Sequence, residues 1–160
     1  MRKTIYFLLS ATIIFAGVFL YMNYNPERGP HLGEISAPGE GRTKVNREGG
    51  LEVIATFLSD ADDGTPEELL FKIELKGPKA ELTGHDPAEL ASLINAREER
   101  LSTGFVWEDE TLDAESRTGF LRVPNQKADG QPFWDKGIDS LTLVFRDLGG
   151  VVERKLNWVF

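Results

Sequence analysis

Four acidic residues around a glycine are the best ion-binding candidate in this 160-residue chain. They flank Gly64 in a turn-forming segment and are Asp60, Asp62, Asp63 and Glu67. Carboxylate oxygens are the ligands that Ca²⁺ prefers, although this spacing differs from that of an EF-hand loop. Asp and Gly are equally typical of a solvated turn between two strands. The sequence therefore leaves two alternatives here, a solvated turn and a weak Ca²⁺ site.

A second run of acids follows Trp107 and could serve hydrolysis. It comprises Glu108, Asp109, Glu110, Asp113 and Glu115. Glycosidases need two carboxylates about 5–9.5 Å apart across a cleft, and sequence alone does not place such a pair. Because a run of acids is more typical of a solvated loop, hydrolysis of an envelope polymer is the less favoured hypothesis.

Motifs of other enzyme classes are absent from the sequence. It has no Gly-x-Ser-x-Gly, phosphate-binding loop or His-Glu-x-x-His pattern. It also has no Cys, which excludes disulfides, thiolate ligands and a lipid-modified cysteine. The two histidines, His31 and His85, lie 54 residues apart and do not suggest a transition-metal site. We therefore expect no enzyme and no resident cofactor, with Ca²⁺ as the one open possibility.

Charged side chains flank the glycine pair Gly149-Gly150 near the C-terminus. They are Arg146, Asp147, Glu153 and Arg154. Opposite charges can pair across an antiparallel hairpin, which is the first interpretation. The alternative is that they form a polar edge that recognises a partner.

Two adjacent aromatic residues, Phe133 and Trp134, lie in the loop-like segment GQPFWDKG. Trp is a frequent anchor at protein interfaces, so the pair is a candidate for an exposed contact with a partner. The alternative is that both rings pack onto the folded domain.

The segments that would position these residues have strand patterns. Leu51–Leu58 is rich in β-branched and aromatic residues, and Leu70–Leu75 alternates apolar with charged residues. Further strand patterns cover Thr103–Trp107, Thr118–Val123, Ser140–Arg146 and Val151–Phe160. The intervening Asp147–Gly150 turn predicts a C-terminal antiparallel hairpin.

One short helix is predicted after Asp86, which is typical of an N-cap, with Pro87 at the first helical position. Its apolar stripe would be Ala88, Leu90, Ala91, Leu93 and Ile94. Residues 51–160 are therefore predicted to be all-β, an immunoglobulin-like β-sandwich with one short helix. A small open barrel is the alternative fold.

The N-terminus has the pattern of a transmembrane signal-anchor over residues 1–22. Residues 4–22 carry no charge, and 19 helical residues would span about 28 Å, close to the thickness of a bilayer core. Arg2 and Lys3 precede this stretch, so the positive-inside rule places the N-terminus in the cytoplasm and the rest outside it. A cleaved signal peptide is the alternative, with a shorter apolar region as its usual mark.

Residues 23–50 read as a flexible Gly- and Pro-containing tether. Within it, Ile35 or Val45 could instead add to a sheet edge. The net charge of -8 is unevenly distributed, because residues 51–160 contain 22 acidic and 12 basic residues. Such an acidic domain is not expected to bind nucleic acid, whose phosphates attract basic proteins.

A motif near the C-terminus carries a family resemblance. It reads Arg-Asp-x-Gly-Gly-x-x-Glu-Arg-x-x-x-Trp and runs from Arg146 to Trp158. With this ending, the chain resembles small extracytoplasmic β-sandwich modules of bacteria and archaea, found behind a signal or membrane anchor. The resemblance implies the fold and the location, and it implies no activity.

These observations favour a membrane-anchored extracytoplasmic domain, periplasmic or extracellular, that binds another envelope protein or acts as an accessory subunit. The alternative is an ion- or small-ligand-binding module centred on the turn from Asp60 to Glu67.

Overall fold

The computed structural model describes residues 41–60 and 64–160. The predicted anchor at residues 1–22 and residues 23–40 of the predicted tether lie outside this part of the chain. Within the described ranges, no helix is both long enough and apolar enough to cross a bilayer.

The described residues form nine strands and two short helices. The strands are β1 (Thr43–Asn46), β2 (Glu52–Phe57), β3 (Glu68–Lys76), β4 (Ala91–Asn95), β5 (Arg100–Leu101), β6 (Val106–Leu112), β7 (Ser116–Pro124), β8 (Ser140–Leu148) and β9 (Val151–Val159). The helices are α1 (Lys79–Thr83) and α2 (Pro87–Leu90). They follow one another between β3 and β4.

The strands form two antiparallel sheets. One has five strands in the order β1-β2-β3-β7-β6, and the other has four in the order β5-β4-β8-β9. The predicted all-β sandwich is therefore confirmed, and the C-terminal hairpin is the β8–β9 pair. In immunoglobulin constant domains the second strand pairs with the first and the fifth, whereas β2 pairs here with β1 and β3. The likeness to immunoglobulin domains is thus one of architecture and not of strand order.

Alternation along the strands supplies the core between the sheets. In β3 the side chains of Leu69, Phe71, Ile73 and Leu75 are buried, while their neighbours face outward. Phe71 contacts Trp158 of the other sheet, with ring centroids 5.5 Å apart. The period of two in the sequence predicts this because successive strand residues point to opposite faces.

The prediction of a single short helix is wrong in number, because α1 precedes the predicted one. For α2, the prediction is correct at the start and wrong at the end. The Asp86 carboxylate caps α2 by accepting a 2.9 Å hydrogen bond from the Ala88 amide. The helix ends at Leu90, however, and Ala91–Asn95 is a strand between β5 and β8. The periodicity of a short apolar run does not distinguish a helix from a buried strand. Here the segment forms a strand because it pairs with both β5 and β8.

The folded domain begins before residue 51, inside the range assigned to the tether. Val45 lies in β1, which pairs with β2 and forms an outer edge of the five-stranded sheet. The alternative that Val45 adds to a sheet edge is therefore confirmed. The alternation along β1 covers only four residues, so the sequence pattern does not distinguish it from the surrounding Gly and charged residues.

A buried arginine fastens β1 to the opposite sheet. Arg154 is 0% exposed, and its guanidinium donates 2.8 Å and 2.9 Å hydrogen bonds to the carbonyls of Leu148 and Leu51. It also donates to Asn46 Oδ1 at 2.8 Å and to the Glu48 carbonyl at 2.7 Å. These four acceptors come from both sheets, so one side chain holds that side of the sandwich closed.

Two glycines leave room for this arginine. Gly49 and Gly149 both have positive φ, 61° and 60°, which L side chains rarely adopt. A Cβ on Gly149 would lie 2.8 Å from Leu51 Cβ and 3.0 Å from Arg154 Nη2. The glycine and the arginine of the C-terminal motif therefore belong to one structural unit.

Replacing Arg154 by Met should destabilise the protein strongly. The substitution keeps an unbranched side chain but leaves the buried carbonyls of Leu148 and Leu51 without donors. At about 1–3 kcal/mol for each unsatisfied buried group, we expect a loss of about 2–6 kcal/mol in the free energy of unfolding, measured by urea denaturation. Arg146→Met on the exposed side of the same hairpin is the control and should change the stability by about 0.5 kcal/mol or less. Equal losses in both variants would contradict this role for Arg154.

Candidate functional site

Strand β6 is the best candidate for a functional surface. It pairs with β7 on one side, and none of the described strands pairs with its other side. Val106 at its start is 60% exposed, and Leu112 at its end is half exposed. An edge of this kind presents unpaired backbone N–H and C=O groups beside apolar side chains, which suits the addition of another strand.

A β-bulge divides this edge. The register with β7 shifts between Asp109 and Thr111. Before the bulge, Asp109 lies opposite Gly119, and a Cβ at Gly119 would collide with the Glu108 carbonyl and the Trp107 ring. Gly119 thus lets Trp107 lie flat across β7. The regular part of the edge is therefore the segment from Val106 to Asp109.

Arg117 holds the inner side of this edge in place. Its guanidinium stacks over Trp107 at 5.3 Å and forms a two-pronged ion pair with Asp109, at 2.6 Å and 3.0 Å. The same side chain donates 2.9 Å hydrogen bonds to the carbonyls of Leu82 and His85. The segment between β3 and β4 is thereby fixed against β6 and β7.

The hydrogen bonds from Arg117 keep the pKa of Asp109 below its ordinary value, and a 2.8 Å bond from the Trp107 indole acts in the same direction. Burial opposes this shift, but only in part. Asp109 is therefore an anchored anion at neutral pH.

The outer side of β6 is also acidic. Glu108 pairs with Arg122 at 3.0 Å, and Glu110 pairs with Lys72 at 2.9 Å. The four side chains are between 40% and 62% exposed, and ion pairs at such exposure contribute little to stability. Of the five acids considered for hydrolysis, Glu108, Asp109 and Glu110 divide between the two faces of β6, and each contacts a basic side chain. The other two, Asp113 and Glu115, lie in the turn between β6 and β7.

A groove of about 470 Å³ lies between the segment around β5 and the loop that follows β7. Phe133 lies against it, and a Glu99–Lys127 ion pair of 3.2 Å crosses its polar side. A hydrogen bond from Asn95 and then one from Lys127 hold the pKa of Glu99 below its ordinary value. This groove is a second surface that sequence reasoning missed.

The aromatic pair predicted as an exposed contact is buried. Phe133 is 1% exposed and Trp134 is 4% exposed, so the prediction that they anchor a partner is wrong and the alternative of packing is confirmed. Asn125 holds the loop by donating to the Trp134 carbonyl and accepting from the Trp134 amide, both at 2.8 Å. Asn95 donates to the Phe133 carbonyl at 3.0 Å. These two buried amides supply the hydrogen bonds that the loop backbone needs.

The charged residues at the C-terminal hairpin have separate roles. Arg146 and Glu153 lie opposite each other and form the predicted cross-strand contact, at 3.9 Å. Asp147 adopts a positive φ of 54° at the turn. Arg154 is buried, so it does not belong to an exposed recognition edge, and that prediction is wrong for this residue.

The predicted Ca²⁺ turn is described only in part, because Asp62 and Asp63 lie outside the described residues. Asp60 forms an ion pair of 3.1 Å with Arg42, and the Glu67 side chain is exposed. Among the described residues, no group of three or more His, Asp or Glu side chains is arranged to hold a metal. The Ca²⁺ site stays a prediction.

Sequence reasoning missed Arg117 and Gly119 as the supports of β6. The segment VWEDETL does carry a signal, since three successive acids interrupt its alternation, and charged residues are typical of edge strands. The partner of Asp109, however, lies on the next strand and depends on the register.

Comparisons with protein-family models, curated proteins and solved structures found no match for this chain. The resemblance of its C-terminal motif to extracytoplasmic sandwich modules therefore stays a prediction.

The Asp109–Arg117 ion pair should make stability depend on acidity. Because the pKa of Asp109 is lowered in the folded state, its contribution is present above the unfolded value of about 4 and is lost as the pH falls through the lower folded value. Asp109→Asn should therefore lower the free energy of unfolding at pH 7 by about 1 kcal/mol or less, since the side chain is half exposed. The difference from the wild type should shrink below pH 4 in urea titrations. A difference that stays constant from pH 7 to pH 2 would contradict this assignment.

Proposed function

We propose that this protein is a single-pass membrane protein that presents its β-sandwich outside the cytoplasm as a protein-interaction module or accessory subunit of the cell envelope. The observation that carries the binding role is the exposed edge strand β6, which pairs on one side only among the described strands. An extended segment of a partner would add to this edge through backbone hydrogen bonds.

The surroundings of β6 support this role because they make the edge rigid. Arg117 fixes Asp109 and stacks on Trp107, and Gly119 lets Trp107 lie flat against β7. A preordered edge loses less conformational entropy on binding than a mobile one. Val106, the first residue of the regular segment, adds exposed apolar surface.

The location is supported by the sequence. Residues 4–22 are uncharged and long enough to span a bilayer, and the preceding Arg2 and Lys3 favour a cytoplasmic N-terminus. The acidic character of residues 51–160 suits a domain held away from anionic lipid headgroups. The proposed module is immunoglobulin-like in its two-layer architecture, and no catalytic role is proposed for it.

The absence of Cys allows a direct test of topology. A single Cys at the highly exposed Val152 should react with a membrane-impermeant maleimide in intact cells or spheroplasts. A Cys inserted directly after Met1 should react only after lysis. Labelling of the Val152→Cys variant only after lysis would contradict the proposed orientation, and release of the protein from membranes by carbonate would contradict the anchor.

The binding role can be tested with a photo-crosslinking amino acid at Val106 in native membranes. We expect a protein adduct of defined mass from this position, because it borders the proposed edge. The matched control is the same amino acid at Val152, which is more exposed but lies on the other sheet. Adducts of equal yield from both positions, or from Val152 alone, would contradict binding at β6.

A further inference from the structure

We infer that the side chains of Lys127 and Asn95 react with each other to form an isopeptide bond, with the carboxylate of Glu99 as the proton carrier. The amine and the amide contact the two oxygens of this one carboxylate. Lys127 Nζ donates a 3.2 Å hydrogen bond to Glu99 Oε1, and Asn95 Nδ2 donates one of 2.8 Å to Glu99 Oε2. A carboxylate that touches both nitrogens can take a proton from one and give it to the other. This inference is independent of the binding proposed at β6.

The three residues come from separate elements of the fold. Asn95 is the last residue of β4, Glu99 directly precedes β5, and Lys127 lies in the loop after β7. Because β4 and β7 belong to different sheets, the bond would link the two layers of the sandwich covalently. The chain has no Cys, so a disulfide cannot supply such a link.

The surroundings of Asn95 favour attack on its amide carbon. Asn95 is 4% exposed, and its Oδ1 accepts hydrogen bonds from the backbone N–H groups of Arg97 and Glu99, at 3.0 Å and 3.1 Å. Donors aimed at this oxygen stabilise the negative charge that develops on it when an amine adds to Cγ. The second hydrogen of Nδ2 bonds to the Phe133 carbonyl at 3.0 Å, so the amide is held in one orientation.

Lys127 supplies the nucleophile. Its side chain is 21% exposed, and Nζ lies closer to Glu99 than to its other acidic neighbour, Asp129, at 3.9 Å. The lysine stem is flexible, so Nζ can move from Glu99 Oε1 towards Asn95 Cγ while the hydrogen-bonded amide stays in place.

The reaction balances without a further reactant. Glu99 takes a proton from the Lys127 ammonium, and the lone pair freed on Nζ forms a bond to Asn95 Cγ. The bond between Cγ and Nδ2 breaks as Nδ2 receives that proton and leaves as ammonia. Nζ keeps one hydrogen in the new amide, and its remaining proton passes through Glu99 to ammonia, so ammonium is released and Glu99 is again a carboxylate. The reaction occurs once in each molecule, and the protein gains a cross-link and no turnover.

Mass spectrometry of the full-length protein and of its tryptic peptides tests the inference. We expect the wild type to be lighter than its sequence by one ammonia. Trypsin does not cleave after an acylated lysine, so residues 80–97 and 123–136 should be recovered together as one branched peptide. Recovery of separate, unmodified peptides would overturn the inference. So would loss of ammonia from residues 80–97 alone, because that result indicates a cyclic imide at Asn95.

Two substitutions identify the reacting groups. Lys127→Arg keeps the charge but removes the primary amine, and Glu99→Gln keeps the size but removes the proton acceptor. Both should abolish the branched peptide. The matched controls are Lys155→Arg and Glu98→Gln, which make the same changes at exposed positions and should form the bond as completely as the wild type.

A branched peptide at wild-type yield in Glu99→Gln would overturn the role of Glu99, and its loss in the controls as well would overturn the assignment of the site. The measurement on the wild type needs no substitution, so it decides the inference even where a variant fails to fold by circular dichroism.

Discussion

The burial of one guanidinium, that of Arg154, is the interaction on which the arrangement of the two sheets depends. A charged group removed from water is costly unless hydrogen bonds replace its hydration. The carbonyls of Leu148, Leu51 and Glu48 and the amide oxygen of Asn46 supply those bonds. Burial lowers the pKa of Arg154, while the nearby Glu48 charge opposes that shift. These contacts join β9 to β1 and to the segment that leads into β2, so the arginine fixes how the two sheets meet on this side.

This constraint makes the two sides of the sandwich different. On one side, two residues of β9 hold it against the β1 segment. Arg154 donates a hydrogen bond to the Glu48 carbonyl, and the Trp158 indole donates one of 2.6 Å to the Arg42 carbonyl. On the other side, Arg117 secures β6 to β7 and to the segment that contains α1 and α2, but leaves the outer edge of β6 exposed. An edge that binds a partner needs both a firmly held fold and an exposed strand, because the fold must be stable before the partner adds its own strand.

Strand patterns could be predicted from the sequence wherever one face of a strand is buried. Leu70–Leu75 and Ser140–Arg146 alternate clearly, and the structure extends each by only a few residues. The prediction failed where both faces are covered or where the strand is very short. Ala91–Asn95 shows no alternation because its side chains are buried on both faces of the sheet. Thr43–Asn46 is only four residues long and is held by contacts with residues far along the chain, such as Arg154.

The types of residues in the candidate site could be predicted from the sequence, but their arrangement in space could not. The acids after Trp107 were visible as a group, yet their division between Arg117 on one face and Lys72 and Arg122 on the other depends on strand register. The same holds for Phe133 and Trp134. Their loop looks exposed in sequence, and its backbone can be covered because the buried amides of Asn95 and Asn125 form hydrogen bonds with it.

The sequence by itself determined the all-β class, the C-terminal hairpin and the acidity of the folded domain, because alternation, Gly-Gly turns and charge are local or additive properties. Tertiary structure decided which arginine is buried, which aromatic residues are buried and which strands lie at the edges of the two sheets. These outcomes depend on contacts between residues as far apart in sequence as Asn46 and Arg154. A local sequence pattern does not show which distant residues come into contact.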